Sequence, residues 1–190
     1  MEPCFMGCSG LWTEKKMIKT IELKDMNTSY WSGGTTTEIF IMPEGASYKD
    51  RDFLFRISTA RVEKPESDFT LLPDYNRIIA SLEGSMSLTD VCSGKAVCIL
   101  PLKTVYSFDG GANTHCVGCA RDLNLMLRKG RADGKAEFAG EGTALHFSLG
   151  RNEFVVVFLT KTQKAVIMND GEFDFAAPEL SAVFTVEISE

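Results

Sequence analysis

Polar side chains recur on one face of three segments that alternate between apolar and polar residues. Arg56 and Ser58 share a face in the first segment, and Asp122 and Asn124 share a face in the last. Arg77 opens the third segment, which lies between them in the chain. A period of two is typical of β-strands, and an arginine offers a planar fork of donors that suits a carboxylate. If these faces turn inward, they predict a polar pocket for a small anionic molecule.

Two structural interpretations of the same faces stay open at this point. Antiparallel sheets commonly leave one face in water, and the polar side chains would then only be solvated. Alternatively, the arginines pair with carboxylates inside the protein and stabilise the fold without binding anything.

The segment 31–38 has the unusual sequence Trp-Ser-Gly-Gly-Thr-Thr-Thr-Glu. Gly33 and Gly34 permit either a tight turn or a close approach of the backbone to a ligand. They do not form a phosphate-binding loop, because no Gly-Lys-Ser/Thr follows them, and the chain has no Gly-x-Ser-x-Gly nucleophile motif. A plain β-turn that enters a solvated strand is the alternative interpretation.

Metal ligands are scarce in the sequence. The chain has 2 histidines, His115 and His146, and neither has a histidine or carboxylate at the spacing of a metal site. Cys116-x-x-Cys119 supplies half of a structural zinc site, which needs four ligands. We therefore expect no metal and no cofactor, and we interpret Cys4, Cys8, Cys92, Cys98, Cys116 and Cys119 as free thiols in a reducing compartment.

Composition excludes several classes of protein. With 190 residues, 44% hydrophobic and 24% charged, the chain predicts one domain or two small fused halves. A net charge of −6 argues against a nucleic-acid partner. The longest apolar runs, such as 154–159, are far shorter than the roughly 20 residues of a membrane helix, and no signal peptide is visible. We expect a cytoplasmic protein with no membrane partner.

Turn sequences rich in glycine, proline and aspartate separate many short alternating segments, which predicts an all-β sandwich or barrel. Residues 1–16 lack periodicity and are predicted to be a disordered extension. Residues 17–130 would form a first β unit and 143–190 a smaller second one. The charged, glycine-rich segment 131–142 would be the linker between them.

Four segments, in this order, resemble the HutD/Ves family of cupin-type proteins, some of which are encoded with histidine-degradation enzymes. They are 31–39, 55–60, 69–77 with 82–84, and 122–128. The resemblance extends over about 18–190. It implies a bicupin, that is, two β-barrel units in one chain with few or no long helices, and a polar pocket in the first barrel.

The resemblance also implies which residues bind the ligand: Trp31, Gly33, Gly34, Glu38, Arg56, Ser58, Arg77, Asp122 and Asn124. Many family members have an arginine just before the glutamate, where this chain has Thr37, so the ligand need not be the same. Many cupins bind a metal through a His-x-His and glutamate set, which this chain lacks. Because this ligand set is absent, we expect a metal-free pocket.

The leading hypothesis is a metal-free cupin that binds a small polar metabolite, expected to carry a carboxylate. It would sense or buffer a histidine-degradation intermediate such as urocanate or a formyl- or formimino-glutamate, with Arg56 and Arg77 on the anionic group. A second hypothesis is a hydrolase or isomerase that uses Glu38 or Asp122 as general acid or base. A third is a stress-related interaction module whose pocket residues only brace the barrel. The sequence predicts neither catalytic residues nor an oligomeric state.

Overall fold

Alternating apolar residues and tight turns fold this chain into β-strands joined by short connections. The computed structural model describes residues 17–189, and within them it contains one short 3-10 helix, Leu23–Asp25. The strands are β1 Met17–Glu22, β2 Thr28–Trp31, β3 Gly34–Met42, β4 Phe55–Val62, β5 Glu66–Asp68, β6 Tyr75–Glu83, β7 Met86–Asp90, β8 Ala96–Ile99, β9 Val105–Asp109, β10 Thr114–Val117, β11 Ala120–Arg128, β12 Ala132–Ala139, β13 Ala144–Leu159, β14 Lys164–Ala176 and β15 Ser181–Ile188. The predicted all-β fold class is confirmed.

A six-stranded antiparallel sheet forms the centre of the molecule, in the order β2-β3-β4-β11-β6-β9. Leu123 and Leu125 of β11 point to one face together with Phe55 and Ile57 of β4. The intervening residues of both strands point to the opposite face, as their alternation predicts.

A five-stranded sheet covers the apolar face of the central sheet. Its order is β1-β14-β13-β15-β12. Phe154 and Val156 of β13 and Phe184 of β15 pack against Phe55 and the neighbouring leucines. Each such side chain, when fully buried, contributes about 1.5–3 kcal/mol to folding, so this interface is the main core.

The opposite face of the central sheet is covered in part by a four-stranded sheet, in the order β5-β10-β7-β8. Ile79 of the central sheet packs on Met86, Leu88 and Ile99 from this smaller sheet. The apolar packing stops short of Arg77 and Asp122, so a space remains between the two sheets where the polar side chains lie.

The hairpin of β13 and β14 extends beyond the rest of its sheet. Its register shifts between Leu149 and Phe154, and the outer part, Ala144 to Leu149, pairs with Gly171 to Ala176. Phe173 from this outer part joins a second apolar cluster with Val155 and Val157. This cluster covers the face of the five-stranded sheet that points away from the main core.

Two segments differ from the sequence-based prediction. The segment predicted as a linker, 131–142, contains strand β12, which pairs with β15 at the edge of the five-stranded sheet. Its charged residues alternate with more buried ones, as at a sheet edge, although its charged, glycine-rich composition resembles that of a connection. Strand β1 pairs with β14, so residues 17–22 also join that sheet.

The unit boundaries at 130 and 143 stay a prediction, and the predicted extension 1–16 lies outside the described residues. No helix between residues 17 and 189 is long and apolar enough to cross a membrane.

Candidate ligand-binding cavity

A cavity of about 310 Å³ lies against the polar face of the central sheet. Strands β4, β6 and β11 form its floor, and the segment 67–70, which includes the end of β5, forms the opposite wall. The β2–β3 hairpin contributes Ser29, Trp31 and Thr36 to one side. This volume lies at the small end of the range for small-molecule sites, about 300–1,000 Å³.

Six of the nine predicted site residues line this cavity: Trp31, Arg56, Ser58, Arg77, Asp122 and Asn124. The strand register explains the grouping. Asn124 lies opposite Ser58 on β4 and opposite Ile79 on β6, while Met126 lies opposite both Arg56 and Arg77. Asp122 shares the face of Asn124 because it is two residues away on β11, and it lies opposite Ala60 on β4 and Ser81 on β6. The solvated-face interpretation is therefore wrong, since Arg56, Ser58, Arg77, Asp122 and Asn124 are buried.

Arg56 is held in place by protein partners. Its Nε donates to Oε2 of Glu38 at 2.7 Å, and one terminal nitrogen donates to Oγ of Ser58 at 2.9 Å. The guanidinium carbon lies 4.9 Å from the centre of the Tyr48 ring. Only 6% of the Arg56 side chain is exposed, against 25% for Glu38. The positive charge of Arg56 is therefore largely compensated before any ligand binds.

Arg77 is buried with far fewer partners. Its Nε lies 3.5 Å from Oδ1 of Asn124, a long hydrogen bond, and its terminal nitrogens make no hydrogen bond to any residue between 17 and 189. Phe69 and Phe108 flank the guanidinium, with ring centres 4.6 and 5.2 Å from its central carbon. Burial lowers the pKa of Arg77 to about 10, and the nearby Asp122 opposes this effect. Arg77 stays charged near neutral pH.

Asp122 is the buried carboxyl group of the cavity, with 4% of the residue exposed. Its Oδ1 accepts the backbone N–H of Ala60 at 3.2 Å. Burial raises the pKa of Asp122 to about 7, while Arg77, the Ala60 N–H and Arg56 act in the opposite direction. A buried carboxyl that changes protonation near neutral pH can accept or donate a hydrogen bond to a ligand.

The other three predicted residues act indirectly. Glu38 does not line the cavity and instead pairs with Arg56. A Cβ on Gly33 would lie 2.0 Å from the Trp31 ring, so the absence of a side chain lets the ring pack there. A Cβ on Gly34, whose φ is +151°, would lie 1.8 Å from the carbonyl oxygen of Arg61. The glycines therefore shape the hairpin that carries Trp31.

Several lining residues were missed by the sequence analysis, chiefly Tyr48 and the segment 67–70 with Phe69. Tyr48 lies in a turn-rich connection without periodicity, so nothing in the sequence predicted its place. Oδ1 of Asp68, in the same segment, accepts a hydrogen bond from Nδ1 of His115 at 2.8 Å. This contact ties the wall of the cavity to β10.

The cavity does not offer a metal site. No group of three or more histidine, cysteine, aspartate or glutamate side chains in the described part of the chain could hold a metal ion. The buried carboxyl of Asp122 shares the cavity with Arg56 and Arg77, whose positive charge would oppose a bound cation.

The fold and site together define a cupin-type β protein with a partly open polar cavity between two antiparallel sheets. The family model of HutD matches residues 23–186, and the chain belongs to the HutD family. No curated protein matches the chain.

Solved structures share this fold at low sequence identity. HutD from Pseudomonas fluorescens SBW25, solved in a formate condition, is 20% identical with a TM-score of 0.74, and the alignment covers 92% of this chain and 100% of that one. A conserved protein of unknown function from Pseudomonas aeruginosa PAO1 is 22% identical with a TM-score of 0.73, at the same coverage. The bacterial pirin YhhW from Escherichia coli, in complex with nickel(II), is 12% identical with a TM-score of 0.63, covering 90% of this chain and 98% of that one. At these identities the likeness concerns the fold.

Proposed function

We propose that this protein binds a small carboxylate-bearing metabolite in the cavity between the central and four-stranded sheets. The observation that carries the proposal is Arg77. It is a buried cation whose terminal nitrogens donate no hydrogen bond to residues 17–189, and it lines a cavity of about 310 Å³. A buried cation that makes no direct ion pair is costly, and a ligand carboxylate would supply both charge and acceptors in bidentate geometry.

The remaining cavity groups would orient the ligand. Asn124 and Ser58 offer amide and hydroxyl groups beside the arginines, and Trp31 and Phe69 offer ring surfaces. Glu38 would act through Arg56, whose guanidinium it holds at 2.7 Å, rather than by contact with the ligand. Convergent polar groups that fix orientation, next to aromatic surfaces, are typical of small-molecule sites.

The family suggests the kind of metabolite and the role. Urocanate and formyl- or formimino-glutamate are carboxylates of histidine breakdown that would suit an arginine anchor. The protein would sense or buffer such an intermediate in the cytoplasm. The bicupin architecture is part of this proposal, with the cavity in the first unit and the five-stranded sheet as the basis of the second.

A thermal-shift screen tests the binding proposal directly. The probes are urocanate, N-formyl-L-glutamate, N-formimino-L-glutamate and formate, each added to the full chain. A ligand at about 100 times its dissociation constant adds about 2.7 kcal/mol to the stability of the folded state, which raises the melting temperature by several degrees. A flat response to every probe, up to concentrations that saturate weak sites, would contradict the proposal.

The Arg77→Gln variant identifies the site. We expect it to lose the ligand-induced shift while its own melting temperature stays near or above that of the wild type, because a poorly paired buried charge is removed. Arg61→Gln is the matched control, since Arg61 lies on the same sheet with 53% of its side chain exposed and outside the cavity. If no ligand shifts the melting temperature of the wild type and Arg77→Gln only lowers it, the hypothesis of an interaction module is favoured.

One observation favours a second candidate, a hydrolase or isomerase. Burial raises the pKa of Asp122 to about 7, close to the pH at which a general acid or base is most effective. Glu38 is the weaker choice for that role because it is paired with Arg56. Turnover of a probe that Asp122→Asn abolishes without loss of binding would establish the enzyme, and binding without turnover would reject it.

A further inference from the structure

The charges around the cavity balance before a ligand arrives. Arg56 is neutralised by Glu38 at 2.7 Å. Arg77 and Asp122 lie in the same cavity, one cation and one carboxyl, and no ion pair shorter than 4.0 Å joins them. Asp68 also lines the cavity, but its side chain is 74% exposed and contacts His115. The buried part of the site therefore has no net charge when Asp122 is ionised.

An added carboxylate upsets this balance. With Asp122 ionised, a ligand anion on Arg77 would place two negative groups beside one available buried cation. An uncompensated negative charge is unfavourable at a buried position. A buried group therefore changes its protonation state and becomes neutral. Asp122 is the group placed to do so, because its carboxylate has a single hydrogen bond, from the Ala60 N–H at 3.2 Å, and no ion-pair partner among residues 17–189.

We propose that the cavity binds its carboxylate ligand together with a proton, which is taken up from solvent by Asp122. The protonated Asp122 then donates a hydrogen bond to the ligand, while Arg77 compensates the ligand charge. For each ionised Asp122, one ligand anion and one proton enter the cavity. The O–H bond of Asp122 is the only covalent bond formed, and none is broken within the ligand. This inference rests on the proposed function, and it defines the ligand as an anion with an oxygen able to accept from Asp122.

Two titratable neighbours of Asp122, Cys116 and Arg77, do not account for a proton exchanged near neutral pH. Burial raises the pKa of Cys116 to about 11, and burial lowers that of Arg77 to about 10, so neither changes charge between pH 6.5 and 8.5. The other charged or titratable groups that line the cavity with Asp122 are Tyr48, Arg56 and Asp68. Glu38 and His115 lie behind this lining, where they contact Arg56 and Asp68 respectively.

Formate is the probe for the test, because it carries one carboxylate and is fully ionised at neutral pH. Weakly buffered protein at pH 7.5 is titrated with sodium formate, and the proton balance is followed with a pH electrode or indicator dye. We expect uptake of about three quarters of a proton per formate bound, given an aspartate half protonated near pH 7. Amide NMR shifts give the dissociation constant, which we expect to rise about 25-fold from pH 6.5 to 8.5.

Two variants locate the proton. Asp122→Asn keeps the shape of the carboxylic acid and its ability to donate, so we expect formate binding without proton uptake and with a dissociation constant independent of pH. Asp74→Asn is the control, because Asp74 is an exposed aspartate outside the cavity and its replacement should leave the proton uptake unchanged.

Saturable formate binding with no proton exchange, or with proton release, overturns the inference while the proposed function stands. Absence of any formate or metabolite binding overturns the proposed function, and the inference falls with it. If Asp122→Asn does not fold, the proton balance and the pH dependence of the wild type still decide between these results.

Discussion

Arg77 and Asp122 lie in the wall of one cavity, buried on neighbouring strands, yet no hydrogen bond or ion pair joins them. Arg77 extends from β6 and donates a long hydrogen bond to Asn124 at 3.5 Å, whereas Asp122 on β11 accepts from the Ala60 backbone. Each has only 4–7% of its surface exposed. Because Arg77 and Asp122 do not pair directly with each other, each of them can interact with a third group.

The stability of the protein should fall as pH rises because of Asp122. The folded state holds this proton up to about pH 7, while an unfolded aspartate loses it near 3.8. Between these values the folded state binds more protons, so an increase in pH destabilises it, and the loss is complete above pH 7. We expect Asp122→Asn to be more stable than the wild type at pH 8 by on the order of 2–4 kcal/mol.

Chemical denaturation of both proteins at pH 5, 6, 7 and 8 measures this effect. Contributions of the other titratable groups are common to both proteins and cancel in the difference. A stability difference that does not change between pH 5 and 8 would show that Asp122 does not titrate in this window.

Loss of Glu38 should destabilise the fold more than its partly exposed position suggests. Glu38→Ala leaves Arg56, with a side chain only 6% exposed, without its anion. We expect a cost of about 2–4 kcal/mol, somewhat below that of breaking a fully buried pair. Urea denaturation measures it. Glu22→Ala, which removes an exposed partner of Lys24 and Lys164, should change little; equal effects of the two changes would refute the expectation.

Gly34 should tolerate no side chain. A Cβ there would meet the Arg61 carbonyl at 1.8 Å, and its φ of +151° is rarely adopted by other residues. Gly34→Ala should therefore cost about 2–4 kcal/mol. Gly94→Ala is the matched control, because Gly94 has a φ of +70° but open space around its Cβ position, and it should cost about 1 kcal/mol. Thermal denaturation of both variants decides whether close approach, rather than backbone angle alone, is the dominant cost.

The described cysteines should differ in reactivity. Cys92, Cys98 and Cys119 are exposed, whereas Cys116 is buried, and burial raises its pKa to about 11, with Asp122 adding to the effect. Because the thiolate is the reactive form, we expect three thiols to react quickly with a disulfide reagent in a variant carrying Cys4→Ser and Cys8→Ser. The fourth should react only after denaturation. Mass spectrometry of labelled peptides identifies each site, and fast labelling of Cys116 in the native protein would contradict the structure.

The resemblance to the HutD family, read from four short sequence segments, is confirmed by the match over residues 23–186. The pairing of β12 with β15 could not be predicted in the same way. Its polar residues face solvent at a sheet edge, so its composition resembles that of a connection. Sequence reasoning works best where one face of a strand is fully buried, as in β11.

The local pattern of the sequence determined which side chains share a face. Strand periodicity alone places Arg56 with Ser58 and Asp122 with Asn124, because the pleat forces alternate residues to opposite sides. The tertiary structure decided what those faces meet. The register of β4, β6 and β11 brings the polar residues together. Glu38, opposite Ser58 on β4, pairs with Arg56, and Phe69 of segment 67–70 lies over Arg77. These contacts join residues far apart in the chain, and local periodicity carries no information about them.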